Sequence, residues 1–271
     1  MYYNNFAGSK LPARKSFLVK GKTILKKIIA ALAAAFGLIA ASGCSFTGNS
    51  GTTSAVGTYN YENMHFVQFD PPKEGQKEAV IETTKGTIKA VLYEDYAPNT
   101  VKNFLNRVNE GYYDGKEIYA VIDKAFFMSG ACNDQYNQGV TDDGQLVANE
   151  YTPDLWTFKG AICSYSGTPG YADSRFFIIN NKAPTEEEVN QLKNMTNKEG
   201  VRIMPDEVID AFVENEGVVH IAGCYTVFAQ TIEGFDVIEA ICEVPVEENS
   251  GKPTEEVKIN KITITEYNSA E

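Results

Sequence analysis

"EAVIETTKGTIKAVLYEDYAPNTVKNFLNRVNEGYYDG", residues 78–115, decides how the rest of the chain is read. Its first half alternates apolar and polar residues in two β-rich runs joined through Lys85-Gly86, the pattern of a hairpin. Pro98 and Asn99–Thr100 then mark a helix start, Val101, Phe104, Leu105 and Val108 form an apolar stripe, and Gly111 ends the helix. The stretch therefore predicts two paired strands with a helix crossing one end of them.

Downstream the strand rhythm continues. "GKEIYAVIDKAFFMSGA" (115–131) predicts two strands with a break at 123–124, and a loop rich in Asn, Asp, Gly and Gln follows from 133 to 149. "FKGAICSYSG" and "SRFFIINN" predict two more strands around the loop 166–173. "CYTVFAQTIEG" predicts another, "GFDVIEAICEV" a short helix, and "EEVKINKITITEY" a closing strand. Many short strands with two helices predict a mostly β fold, a closed β-barrel with helical caps. One segment breaks the rhythm. Residues 183–218 carry a helical pattern, with a capping box at Thr185 and Glu188 and a second start at Pro205-Asp206 that stops at Gly217. This predicts an inserted helical hairpin, open to reading as surface decoration, as a lid or as a partner-docking surface.

The charge is unevenly divided. The chain has 271 residues and a formal net charge of −12, yet residues 1–43 hold seven Lys or Arg and no Asp or Glu. Without those seven, 17 basic residues face 36 acidic ones, so the remainder stands near −19. Nucleic acid is excluded as an expected partner, because binding it requires a basic face.

The basic segment runs into "IIAALAAAFGLIAASGC", 28–44, an apolar run closing on small residues, as in a secretory signal. Ala41-Ser42-Gly43-Cys44 matches a bacterial lipobox, which makes Cys44 the expected lipidation site; an ordinary signal peptide containing Cys44 is the alternative. The expected organisation is a signal peptide with lipobox over 1–43, a Ser/Thr/Gly-rich flexible tether over 44–59 and a folded domain over 60–271. The expected location is the extracytoplasmic face of the cell membrane, held through the N-terminal lipid.

Cys132, Cys163, Cys224 and Cys242 remain, with His65 and His220. No CxxC spacing occurs, so no metal site is expected. Export permits disulfides, in three possible pairings, and buried free thiols are the other reading.

Four pieces carry a resemblance in order: Ala97–Phe104, Gly111-Tyr112-Tyr113-Asp114-Gly115, Ser174–Ile178, and Thr226-Val227-Phe228 with "EGFDVI" behind it. Over roughly residues 78–266 the chain resembles the cyclophilin-type peptidyl-prolyl cis-trans isomerases. That resemblance implies a closed eight-stranded antiparallel barrel capped by two helices, isomerisation of X–Pro bonds and no cofactor. It further implies proline-containing peptides or unfolded exported proteins as partners. A monomer is expected.

In cyclophilins a guanidinium assists the twist about the prolyl amide, an amide side chain positions it, and an apolar pocket holds the proline ring. The family pattern "F-H-R-V-I…F-M-I-Q-G-G" falls here on 118–122 and 125–130. Ala120 stands at the arginine position, Ala125 and Phe126 at the pocket positions, and Met128 at the glutamine. Arg175 replaces a glutamine in "SRFFI", Phe177 matches a pocket phenylalanine, Ile221 keeps an apolar residue, Tyr225 replaces histidine and Ser166 an asparagine.

The resemblance thus implies a peptide groove of Ala120, Phe126, Met128, Phe177, Ile221 and Tyr225, with Phe127 pointing into the core. Catalysis is expected to be weakened, and Arg175 is the candidate surrogate catalytic residue. The plain alternative for Arg175 is a half-exposed strand residue with a solvated head. A non-catalytic binding or scaffold protein using the same groove is the alternative for the whole.

Overall fold

The computed structural model describes residues 59–122, 125–180, 183–196, 200 and 202–269, together with 44, 45, 52, 53 and 56. The leader expected over 1–43 lies outside the described residues, as does the break at 123–124. Of the tether, Cys44–Ser45 pairs with Thr52–Thr53 in a short parallel contact.

Eight strands form one sheet: β1 (Lys77–Thr83), β2 (Gly86–Leu92), β3 (Ala120–Ile122), β4 (Phe126–Ser129), β5 (Ala161–Tyr165), β6 (Arg175–Ile179), β7 (Val227–Glu233) and β8 (Ile259–Glu266). Their order is β8-β1-β2-β7-β5-β6-β4-β3, every neighbour antiparallel. The hairpin expected through Lys85-Gly86 is β1–β2, with Thr83 opposite Gly86.

The closed barrel is corrected to an open, curled sheet. Its edge strands β3 and β8 do not pair along their lengths. Instead the chain leading into β3 meets the start of β8 and the residues just before it, Ile118 donating to Val257 at 2.9 Å and Ile259 to Lys116 at 2.8 Å. A three-residue β3 offers little edge to pair, and the N–H of Val121 is already taken by the Gly251 carbonyl at 2.7 Å.

Among the described residues the α-helices are the two expected outside the insert and the two expected within it. Helix α1 (Pro98–Asn109) starts at the expected proline and buries Val101 and Phe104. Helices α2 (Glu186–Lys193) and α3 (Asp206–Asn215) form the insert, and α4 (Phe235–Cys242) buries Val237, Ile238 and Ile241. The Thr185–Glu188 capping box is present at the start of α2.

Side-chain alternation sorts each strand between two apolar cores. Inside the curl, Ile81, Ile88, Phe127, Ile162, Phe176, Ile178 and Phe228 pack with Phe104 of α1 and Ile238 of α4. On the outer face a second cluster gathers Val91, Ala120, Phe126, Met128, Cys163, Phe177, Ile179 and Val227. Strands β4 and β6 are thus buried on both faces, which is why "FFMS" and "RFFII" read as unbroken apolar runs.

The insert has a core of its own. Leu192, Val208, Ile209 and Phe212 pack with Trp156, Phe158 and Val219. Gly217 ties it to the sheet: its φ of +141° suits only glycine, and a Cβ there would stand 2.5 Å from the Thr157 carbonyl oxygen. Ile221 and Tyr225 follow within eight residues, so the packing of the insert sets where they lie.

Candidate functional site

One register line crosses five strands. Ala120 lies opposite Met128, Met128 opposite Phe177, Phe177 opposite Cys163, and Cys163 opposite Val227. Above it, the Phe126 and Phe177 rings sit 5.3 Å apart, and Tyr225 meets Phe177 edge-on at 5.1 Å. Ile221 belongs to the same cluster. The six groove residues expected from the sequence are therefore brought together on one face. Each is between 1 and 8 % exposed. Phe127 points inward.

Arg175 flanks this face, one alternation step along β6 from Phe177. It is not half-exposed. Its side chain is 4 % exposed and held by Asp173, whose side chain is equally buried. Nη2 donates to Asp173 Oδ2 at 2.6 Å, Nε to Oδ1 at 3.0 Å, and Nη1 to the Tyr136 carbonyl at 3.3 Å. The guanidinium also lies over the Tyr165 ring at 4.9 Å. Burial works against its charge, but the hydrogen bonds and charge of Asp173, aided by Tyr119 and Tyr165, hold its pKa above the ordinary value.

The "GYYDG" stretch fixes this geometry. Tyr113 donates to the Ser174 carbonyl at 2.9 Å, Tyr112 to the Gly130 carbonyl at 3.0 Å, and Asn103 of α1 to the Asp173 carbonyl at 3.2 Å. Gly130 passes so close to β6 that a Cβ would lie 2.4 Å from the Ser174 oxygen. Ser166 is turned to its own loop, donating to the Tyr171 carbonyl at 2.7 Å and accepting from the Thr168 N–H at 3.1 Å.

Sequence reasoning missed Asp173 and the tyrosines around it. The signal present was an acid two residues before Arg175, which alternation places on the same face. Tyr119 stacks on Tyr136 at 4.9 Å, and its buried hydroxyl has no hydrogen-bond partner among the described residues. Burial pushes the Tyr119 and Tyr165 phenols up, with Arg175 opposing, and pushes the Cys163 thiol up as well, which leaves it unreactive. Cys132 and Cys163 are free thiols, so none of the three complete cysteine pairings forms. Among the described residues no group of three or more His, Cys, Asp or Glu could hold a metal ion, and no helix is long and apolar enough to cross a membrane.

Chemically, the face offers an apolar bed of aromatic and methyl groups beside a charge that is already neutralised. It presents no donor side chain at Ala120.

Residues 79–264 match the family model described as cyclophilin type peptidyl-prolyl cis-trans isomerase/CLD. A candidate peptidyl-prolyl cis-trans isomerase of Staphylococcus epidermidis is 28% identical over 194 residues, covering 72% of this chain and 94% of that one. A candidate bifunctional phosphatase/peptidyl-prolyl cis-trans isomerase of Streptococcus pyogenes serotype M6 is 28% identical over 205 residues, and the chain spans 42% of its length. In fold, the chain is similar to the crystal structure of a Cryptosporidium parvum cyclophilin type peptidyl-prolyl cis-trans isomerase, with a TM-score of 0.54 at 22% identity, covering 70% of this chain and 97% of that one. A second structure of that protein, determined in the presence of the dipeptide Ala-Pro, matches with the same TM-score at 21% identity, covering 69% of this chain and 98% of that one.

Proposed function

The chain belongs to the cyclophilin-type peptidyl-prolyl cis-trans isomerase family, and from that premise we propose that it binds proline-containing segments of exported proteins and isomerises them weakly. Rotation about an X–Pro bond must cross a barrier of ~18–20 kcal/mol because the amide loses resonance as it twists. A catalyst lowers that barrier only through contacts stronger in the twisted state than in the planar one. A cationic donor aimed at the prolyl amide makes such a contact. An apolar bed that grips the proline ring equally in both states does not.

The observation that carries the reading is the pairing of Ala120 with Met128 in the line that runs on through Phe177. The bed is assembled, and a methyl group stands where the resemblance puts the guanidinium. Absence of one well-placed donor costs ~10²–10³ in rate. Arg175 is a surrogate donor only if it leaves Asp173, so it serves catalysis in proportion to that opening. Ala-Pro in the neighbouring parasite cyclophilin structure supports a prolyl ligand for this bed.

The basic leader and lipobox support a lipoprotein acylated at Cys44 and working on the extracytoplasmic face of the membrane; a monomer is proposed with it. The second reading, a non-catalytic scaffold that uses the same face, is favoured by the sequestered Arg175.

The deciding experiment is a proline-isomerisation assay on the full chain and on Arg175→Ala, run beside a binding assay with the same Xaa-Pro peptides. A slow rate that falls further in Arg175→Ala supports the surrogate. No rate in either protein with binding retained leaves the scaffold reading, and neither rate nor binding removes both. Labelling with a fatty-acid precursor in cells, lost in Cys44→Ala, tests the anchor.

A further inference from the structure

A cleft of about 500 Å³ opens between residues 65–77 and the turn that follows β2, and shares Val91 and Tyr93 with the apolar cluster that holds Phe177. Its size falls within the range of sites that hold a small ligand or one large side chain. Tyr93 and Tyr96 form its aromatic wall, their rings edge-to-face at 6.2 Å, and Pro71-Pro72 stiffens the opposite side.

The cleft is built around negative charge. Asp70 and Asp95 line it, and both act on the Tyr96 phenol together with nearby Asp154. Asp95 has no ion-pair or hydrogen-bond partner among the described residues, while Asp70 meets the exposed His65 ring at 2.8 Å. Two lysines also reach the rim. Lys77 is neutralised by Glu94 at 2.6 Å, which leaves Lys73 as the opposing charge.

Tyr93 supplies a second, independent sign of a ligand. Its residue is 7 % exposed, it lines the cleft, and its hydroxyl has no hydrogen-bond partner among the described residues. Burial, with the charges of Asp70 and Tyr96 adding to it, pushes that phenol up, so it stays a neutral hydroxyl with a free lone pair. A hydroxyl that opens on a cavity can accept from a donor placed there.

We infer that this cleft binds the guanidinium of an arginine carried on an extended polypeptide. A guanidinium is planar, stacks on a tyrosine face, and donates in a fork to carboxylates. It would lie on Tyr96, donate to Asp95 and Asp70, and give one N–H to the Tyr93 hydroxyl. The acidic remainder of the chain favours the approach of such a cation. None of the six groove residues lines this site, and the inference does not rest on the prolyl reading.

The test is a titration of the isotope-labelled full chain with N-acetyl-arginine amide, followed by NMR. The neutral isostere N-acetyl-citrulline amide and N-acetyl-lysine amide are the controls. Saturable shifts at the amides of Tyr93 to Tyr96 with arginine, none with citrulline and smaller ones with lysine, are expected. Asp70→Asn/Asp95→Asn should bind about fivefold more weakly. Tyr93→Phe, which keeps the ring, should bind about twofold more weakly and covers the case in which the double variant does not fold. Equal response to arginine and citrulline, lysine binding as tightly as arginine, or shifts away from this cleft would each overturn the inference. Loss of Xaa-Pro binding with arginine binding intact would count against the prolyl reading alone.

Discussion

Asp173 and Arg175, two residues apart in sequence, form an ion pair of 2.6 Å in which each side chain is 4 % exposed. Breaking one side of such a pair leaves an uncompensated charge in the interior. Asp173→Asn should therefore lose ~3–5 kcal/mol of folding free energy. Replacing both residues by neutral ones of similar size should lose much less than the two single changes together. Urea unfolding of the four proteins measures this, and strict additivity would mean that the pair is not coupled.

Phe177 tests the apolar bed. Its ring touches Phe126 on one side and Tyr225 on the other. Phe177→Ala opens a cavity between them and should cost ~3–5 kcal/mol. Phe177→Leu, closer in volume, should cost under ~1.5 kcal/mol. The leucine variant should remain folded by circular dichroism and still lose affinity for Xaa-Pro peptides, since the flat ring surface is gone.

Legibility followed period and punctuation. The β1–β2 hairpin, α1 and the Thr185–Glu188 cap were readable because alternation, Pro98 and the capping box act over a few residues. The open edge between β3 and β8 was not, because it depends on Gly251 taking the Val121 N–H from more than a hundred residues away. Within the site, the apolar members followed from the family pattern. The state of Arg175 did not, since its partner Asp173 lies outside that pattern and long side chains choose partners only after the backbone is set.

Gly130 and Gly75 make a matched pair. Both have positive φ, +86° and +74°, so alanine pays a similar backbone penalty of ~1–2 kcal/mol at each. At Gly75 the new methyl meets nothing within 4 Å, whereas at Gly130 it would stand 2.4 Å from Ser174 O and 3.1 Å from Arg175 Cα. Gly75→Ala should stay within that penalty. Gly130→Ala should exceed it and shift the start of β6, seen as a larger drop in Tm and altered Arg175 resonances.

Tyr119 carries a hydroxyl that burial has stripped of water without supplying a partner. Tyr119→Phe removes the orphaned group and keeps the ring stacked on Tyr136. The variant should be as stable as the parent or more stable by ~1 kcal/mol. A loss of 1 kcal/mol or more on thermal unfolding would show that an ordered water had satisfied the hydroxyl.

Glu188 gives the insert a pH dependence with a definite sign. Its carboxylate accepts from the Thr185 N–H at 2.8 Å and from the Thr185 hydroxyl at 2.8 Å, while its own N–H donates back to the hydroxyl at 3.3 Å. The backbone hydrogen bond from Thr185 is the main force holding the Glu188 pKa below its usual value, with His220 adding a smaller pull. The folded pKa is thus lower than the unfolded one of ~4.3. Protection from this group is complete above the unfolded value and fades as pH falls through the folded one. Amide exchange over residues 189–193, corrected for intrinsic rates, should show α2 loosening as pH drops from 6 to 3. Glu188→Gln keeps an oxygen acceptor but cannot titrate, so its protection should stay nearly level over the same range. Parallel curves for the two proteins would place the acid sensitivity elsewhere than in this cap.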